Sequence, residues 1–357
     1  MAMRKWFFVC TALLAFGLSM LFVSDRASAQ DSKPAAPAAK PTPPPSEDDE
    51  VLKVETEAVN VLFTAQDRNR RLLTNLKPED VRVLENGQPQ SIVSFNRQVD
   101  LPLSLAILID TSASQMRTLP EEKEAAISFI ESVVRPTKDE VSVISFTGDS
   151  TLEQSMTSNI VRLRRAIERV QFVPPTGYIG GGVVAGTPPI SGSNQAVAGS
   201  TAIWDSIYAT SEEVLGPAPE KTRRAIILLT DGYDTFSQKK LDEAARAAQK
   251  AEAIIYSVGI GDKFYDGVNK GALEKISDKT GGRAYFPRDE VELRDAFKQI
   301  QDEMRSQYLL AYEPVNSVKD GSYRTIKIEL VNPQMQKDKI KLTHREGYFA
   351  KSEAKKK

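Results

Sequence analysis

Residues 105–114 read Leu105-Ala-Ile-Leu-Ile-Asp110-Thr-Ser112-Ala-Ser114, and the change of character inside this stretch decides the fold. Five apolar residues in a row, with no polar alternation, predict a strand buried on both faces, as in a parallel sheet covered by helices. A carboxylate and two hydroxyls then follow at once. Moving outward, Glu121 to Val134 has helical spacing in Ala125, Ile127, Phe129, Ile130 and Val133. Val141–Phe146, Ala225–Leu229 and Ala253–Val258 repeat the buried-strand pattern, and Ala284–Phe286 reads as a short edge strand. Between them, Ile160–Val170, Ala202–Leu215, Lys240–Glu252, Val268–Thr280 (closed by Gly281-Gly282) and Val291–Tyr308 read as helices. Strands alternating with helices predict an α/β domain over residues 101–305: a doubly wound, mostly parallel sheet with flanking helices.

Both sides of this region read differently. Over 51–100 the period is two: Val54, Thr56 and Ala58, then Asn60, Leu62 and Thr64, read as one face of a β run, and Val81–Leu84 and Ser91–Phe95 face each other across Glu85-Asn86-Gly87-Gln88, a hairpin signal. After Tyr308 the β pattern returns in Tyr308–Tyr312, Tyr323–Leu330 and Lys339–Thr343. Each flank is too short to make a comfortable core alone. The economical expectation is one small β-sandwich built from 51–100 and 306–350, with the α/β domain inserted in it. Two separate small β units flanking the domain are the alternative.

The ends of the chain carry other signals. Arg4 and Lys5 precede an uncharged stretch from Trp6 to Val23, and Ala27-Ser-Ala29 is a small-x-small cleavage site. Residues 1–29 therefore read as a secretory signal, with an uncleaved membrane anchor as the alternative. Cys10 lies inside the apolar stretch, so cleavage leaves a mature chain without cysteine. Residues 30–50, with six prolines, read as an extended tether, and 351–357 as a short basic tail. The expected destination is outside the cytoplasm: periplasmic, envelope-associated or secreted.

Composition narrows the chemistry. The 357 residues are 41% hydrophobic and 27% charged, which is globular, and 47 basic residues against 48 acidic leave a net charge of −1. Without a basic excess, nucleic acid is a poor partner. One histidine, His344, and one cysteine exclude a His-rich zinc site, Cys₂His₂ and Cys₄ clusters and any disulfide within the chain. His344, on a β flank, reads as a surface strand residue.

The polar residues that remain gather at one place. In an open parallel sheet, ligands bind outside the carboxyl ends of the strands. Asp110, Ser112 and Ser114 follow one such end, and Leu229-Thr230-Asp231-Gly232 follows another. Gly199-Ser200-Thr201 opens a helix between them. Taken singly, each of these residues could be a helix cap. Together, an apolar strand with D-x-S-x-S, a Gly-x-Thr at a helix start and a strand ending in Thr-Asp-Gly resemble the von Willebrand factor type A domain and its metal-ion-dependent adhesion site. The flanks, including Leu76–Gly87 and Glu346–Phe349, resemble exported bacterial proteins related to that family. The resemblance implies a metal site of Asp110, Ser112, Ser114, Thr201 and Asp231. It also implies a cell-adhesion type of function, in which a protein partner offers a carboxylate to the bound ion. Hydroxyls, carboxylates and water are hard donors suited to Mg²⁺ or Mn²⁺. Pro174 to Ser200 departs from the family in being long and glycine-rich, and reads as a rim of the binding face.

Three function classes compete. The leading one is an exported, metal-dependent protein-binding module without enzymatic activity. A metal-assisted hydrolase on the same sheet edge lacks a recognisable general base, since no His or Lys lies in the motif loops. A metal-free scaffold is the third. Asp205 is expected to brace its loop and Asp234 to shape the turn after Asp231. Val258-Gly-Ile-Gly261 lacks the third glycine of a dinucleotide turn and reads as a strand-to-loop turn.

Overall fold

Two sheets organise the chain. The computed structural model describes residues 58–69, 71–98, 101–172, 200–219, 222–261 and 267–352, with the backbone of 178–179 and 182–183. The signal, the tether and most of both the glycine-rich stretch and the basic tail lie outside them. Three strands come first: β1 (Val59–Gln66), β2 (Val81–Glu85) and β3 (Gln88–Gln98). The α/β region then runs β4 (Leu103–Asp110), α1 (Leu119–Val133), β5 (Glu140–Phe146), β6 (Ser150–Thr157) and α2 (Ile160–Arg169). A two-residue pair follows, β7 (Tyr178–Ile179) and β8 (Gly182–Val183), then α3 (Ile203–Ala209) and β9 (Arg223–Thr230). It ends with α4 (Leu241–Lys250), β10 (Ala253–Gly259), α5 (Lys270–Thr280), β11 (Ala284–Tyr285) and α6 (Glu290–Arg305). Last come β12 (Gln307–Glu313), β13 (Tyr323–Leu330), α7 (Pro333–Lys337), β14 (Lys341–His344) and β15 (Gly347–Phe349). Residues Val54–Lys357 form one compact unit.

The α/β sheet has the order β11-β10-β9-β4-β5-β6. All neighbours run parallel except β6, an antiparallel edge strand, so the sheet is mixed. Every residue of β4, β9 and β10 is buried. This agrees with their unbroken apolar runs, because helices cover both faces. Leu105, Ile107 and Ile109 of β4 pack with α1, α2 and α6 through Phe129, Leu163 and Phe297. Ala106 and Leu108 face α3, α4 and α5 through Ile207, Ala248 and Ile276. The helix expected to run to Tyr308 stops at Arg305, because Gln307 and Tyr308 already pair with Gln98 and Arg97 of β3. The helix begun at Ile203 goes over into a π-helical turn at Thr210–Leu215.

The flanks do not form a sandwich. Their seven strands make one antiparallel sheet in the order β14-β1-β12-β3-β2-β13-β15. The reason is β3, whose eleven residues pair with β12 over Ser91–Gln98 and with β2 over Gln88–Gln90. One long strand thus carries the sheet across the place where a sandwich would break it. Its hairpin to β2 turns through Asn86 and Gly87, both at positive φ (48° and 80°), as a two-residue primed turn requires. The sheet curls until β14 approaches β13, and Ile328 donates its N–H to His344 Nε2 at 3.1 Å. Phe63, Phe95 and Tyr308 pack as an aromatic trio in its core. The phase of β1 is also corrected: Val59, Val61, Phe63 and Ala65 face this core, whereas Asn60 and Leu62 lie on the other face.

Candidate metal centre

The strand order reverses at β4, whose neighbours are β5 on one side and β9 on the other, and β4 and β9 both end at the same edge. Asp110 is the last residue of β4 and is fully buried. Its Oδ1 accepts the Ser112 N–H at 2.9 Å, and its Oδ2 accepts the Thr230 hydroxyl at 2.5 Å. Thr230 in turn accepts the Gly232 N–H at 3.2 Å, so the ends of the two strands are laced together. The Ser112 and Ser114 hydroxyls lie 3.2 Å apart, and Ser114 hydrogen-bonds the Asp231 carboxylate. Asp231 also accepts the Tyr233 N–H at 3.0 Å. Between them Gly232 sits at φ 83°, and a Cβ there would come within 2.8 Å of Leu273, so both conformation and space demand glycine.

Thr201 is brought to the same edge by its backbone. Its carbonyl accepts the N–H groups of Thr235 (2.9 Å) and Phe236 (3.0 Å), and its own N–H goes to the Thr235 hydroxyl. The neighbouring Ala202 N–H donates to Thr147 O at 2.7 Å, just beyond the end of β5. Four of the five expected residues therefore form one hydrogen-bonded cluster. Thr201 stands beside them, buried, with no direct hydrogen bond from its hydroxyl to the other four. Asp205 braces its loop by accepting the N–H groups of Gln238 and Lys239. Asp234 does more than shape a turn: it accepts the Ile203 N–H at 2.8 Å and so fixes the start of α3.

Electrostatics set this edge apart. Burial, with repulsion from Asp231, pushes the Asp110 carboxyl up to about 7 despite the Thr230 and Ser112 hydrogen bonds that oppose the rise. Burial also raises Asp231. A third carboxyl, Glu122 of α1, is pushed up to about 8 by burial, with added repulsion from Asp110 and Asp231. A Thr118 hydrogen bond opposes the rise without cancelling it. Sequence reasoning passed over Glu122, although a glutamate one helical repeat before Ala126, Phe129 and Val133 on an apolar face was the available signal. Among the described residues no three His, Cys, Asp or Glu side chains gather as a metal cluster. The candidate ligands are instead two carboxylates, Asp110 and Asp231, and three hydroxyls, Ser112, Ser114 and Thr201.

Two family models, both described as the von Willebrand factor type A domain, match residues 105–234 and 190–299, together running from β4 into α6. The chain carries a von Willebrand factor type A domain. An uncharacterized protein of Borreliella burgdorferi is 31% identical over 137 residues, covering 33% of this chain and 36% of that relative. The chain thus spans about a third of the length of the curated relative it matches. Among solved structures, a von Willebrand factor type A protein from Catenulispora acidiphila is 14% identical, with a TM-score of 0.45 over 80% of this chain and 76% of that one. Proximal thread matrix protein 1 from the mussel byssus, solved with a zinc-occupied MIDAS motif, is 17% identical. Its TM-score is 0.46 over 61% of this chain and 49% of that one. In the von Willebrand A domain of this chain, Asp110 and Asp231 flank the switch point from β4 to β9, where this class of sheet opens a crevice. Among the described residues no helix is long and apolar enough to cross a membrane.

Proposed function

We propose that this von Willebrand A domain is a divalent-cation-dependent protein-binding module, exported from the cytoplasm, that captures an acidic group of its partner. The observation that carries the reading is the cluster of Asp110, Ser112, Ser114 and Asp231, closed by hydrogen bonds at the switch point of the sheet. The donor set fits a hard cation such as Mg²⁺ or Mn²⁺, since every candidate ligand is an oxygen. Two buried carboxylates, both with raised proton affinity and one of them raised partly by the other's charge, are stabilised by a cation between them. Ser112, Ser114 and Thr201 would hold the ion, while Asp110 and Asp231 supply charge, largely through water. A bound divalent ion there offers a Lewis-acidic position to a carboxylate from outside.

Binding rather than hydrolysis is supported by what surrounds the site. The single histidine belongs to the flank sheet with both ring nitrogens engaged, Nε2 by Ile328 and Nδ1 by Arg345 O at 2.8 Å. Glu122 is sealed from solvent. Export rests on the charged start, the apolar stretch and Ala27-Ser-Ala29; sequencing of the exported protein should find its first residue at or near Gln30.

Isothermal titration with Mg²⁺ and with Mn²⁺ tests the site. Asp110→Ala should weaken binding about 10- to 100-fold, the scale for losing a supporting ligand. Thr201→Ala should weaken it with net charge unchanged, which separates coordination from electrostatics. Equal affinities in wild type and both variants would reduce these residues to helix caps and loop braces.

A further inference from the structure

At the opposite edge of the α/β sheet, the amino ends of β9 and β10 face the flank sheet across a cavity of about 240 Å³. Leu101, just before β4, and Ile254 line it from the α/β side, and Leu62 and Leu309 line it from the flank side. Leu62 belongs to the face of β1 turned away from the flank core, which explains an apolar residue at that register position. The charged lining is lopsided: Arg223, Arg224 and Arg345 stand against one acid, Glu252.

The arginines are buried, and not every N–H is matched. Arg224 is 9% exposed; its Nη1 donates to Ala251 O at 2.9 Å and its Nη2 to Ala218 O at 2.7 Å, but its Nε has no partner. The Arg345 side chain is 12% exposed and gives one Nη2 hydrogen bond to Asn60 O at 2.7 Å. Its Nη1 lies 3.6 Å from Glu252 Oε1, and its Nε is likewise without a partner. Glu252 follows α4 at φ 54°, a position where glycine is the ordinary residue. Even so, its side chain is 57% exposed, so its charge is largely screened by water. Arginine side chains beside mainly apolar walls are the ingredients of a ligand pocket: a few polar anchors in a mainly apolar cleft.

We propose that this cavity between the two sheets binds a small amphipathic anion, a carboxylate with a short alkyl chain. The carboxylate takes charge-assisted hydrogen bonds from Arg224 and Arg345. The chain lies against Leu62, Leu101 and Leu309. At about 30 Å³ per water-sized volume the space suits on the order of eight such volumes, which matches a ligand near the size of octanoate. The site is independent of the metal-binding reading, since it lies at the other end of the strands.

Isothermal titration of the full chain with octanoate, 1-octanol and inorganic phosphate tests the proposal. Octanoate should bind saturably at one site, with octanol and phosphate each at least tenfold weaker. Arg345→Gln should weaken octanoate at least tenfold and leave octanol unchanged. Leu309→Trp, which fills the cavity from the flank side, should abolish both, with circular dichroism confirming that either variant is folded. Arg224 is not a useful variant, because it also holds backbone carbonyls of the loop before β9. The proposal is overturned if octanoate does not saturate wild type, if octanol binds as well as octanoate, or if Leu309→Trp binds octanoate like wild type.

Discussion

Glu122 lies on the buried face of α1 among Ala125, Ala126 and Phe129. Its folded pKa of about 8 lies above the ordinary 4.5, so protonation favours the fold. The stability that follows is complete below pH 4.5 and is lost as pH rises through about 8. Glu122→Gln removes that dependence. Urea denaturation should show the variant gaining on wild type by about 4 kcal/mol between pH 5 and pH 9. His344 behaves in the opposite sense, because burial holds its pKa below 6.5. Its neutral ring accepts from Ile328, so its contribution is present above pH 6.5 and declines as pH falls toward the lowered folded value. Thr230→Val tests the lacing at the candidate metal centre. It removes the hydroxyl that donates to Asp110 Oδ2, and Mg²⁺ affinity should fall about tenfold, read by titration at constant pH.

At the scale of elements, Asp139 joins three of them. Its carboxylate accepts the Leu103 N–H at the start of β4, the Arg135 backbone and guanidinium after α1, and Arg305 Nη2 at the end of α6. Burial alone would raise its pKa, but the Arg135 and Arg305 hydrogen bonds outweigh that and hold it at about 2. Its contribution is therefore present above pH 3.8 and lost as pH falls toward 2. Asp139→Asn leaves two guanidinium groups underpaired and should cost about 3 to 5 kcal/mol in urea denaturation. How far such elements could be read from sequence depends on what buries them. β4, β9 and β10 are legible because helices cover both faces and the strand centres are apolar runs, with the polar residues mostly at the ends. β6 escaped notice because no position in Ser150–Thr157 is fully buried, as befits an edge strand with polar side chains. β1 was read in the wrong phase because Leu62 is apolar for a second reason, its place in the cavity between the sheets. That Asp110, Ser112, Ser114, Thr201 and Asp231 lie at one sheet edge was legible from motif and strand position, whereas the places of Glu122 and the Thr230 hydroxyl follow only from the packing around Asp110.

At the scale of the whole chain, β1 pairs with β12 and β14, and β2 lies between β3 and β13, so the first two strands depend on partners about 240 to 280 residues away. Pairing over that distance leaves no local trace, which is why one curled sheet could not be told from a sandwich beforehand. A chain ending at Ser306 should keep amide protection in β4, β9 and β10 and lose it across residues 59–98 in hydrogen exchange. The same register has a mechanical side. The chain leaves β3 for the von Willebrand A domain at Gln98 and returns into β12 at Gln307, and these two residues are paired. A load on the domain therefore enters the flank sheet at both points together, so β3 and β12 are drawn the same way and the seven residue pairs between them are not peeled apart. In an optical trap, a handle on the domain should leave the flank sheet intact to higher force than handles fixed at residues 98 and 307, which would open the same ladder one pair at a time.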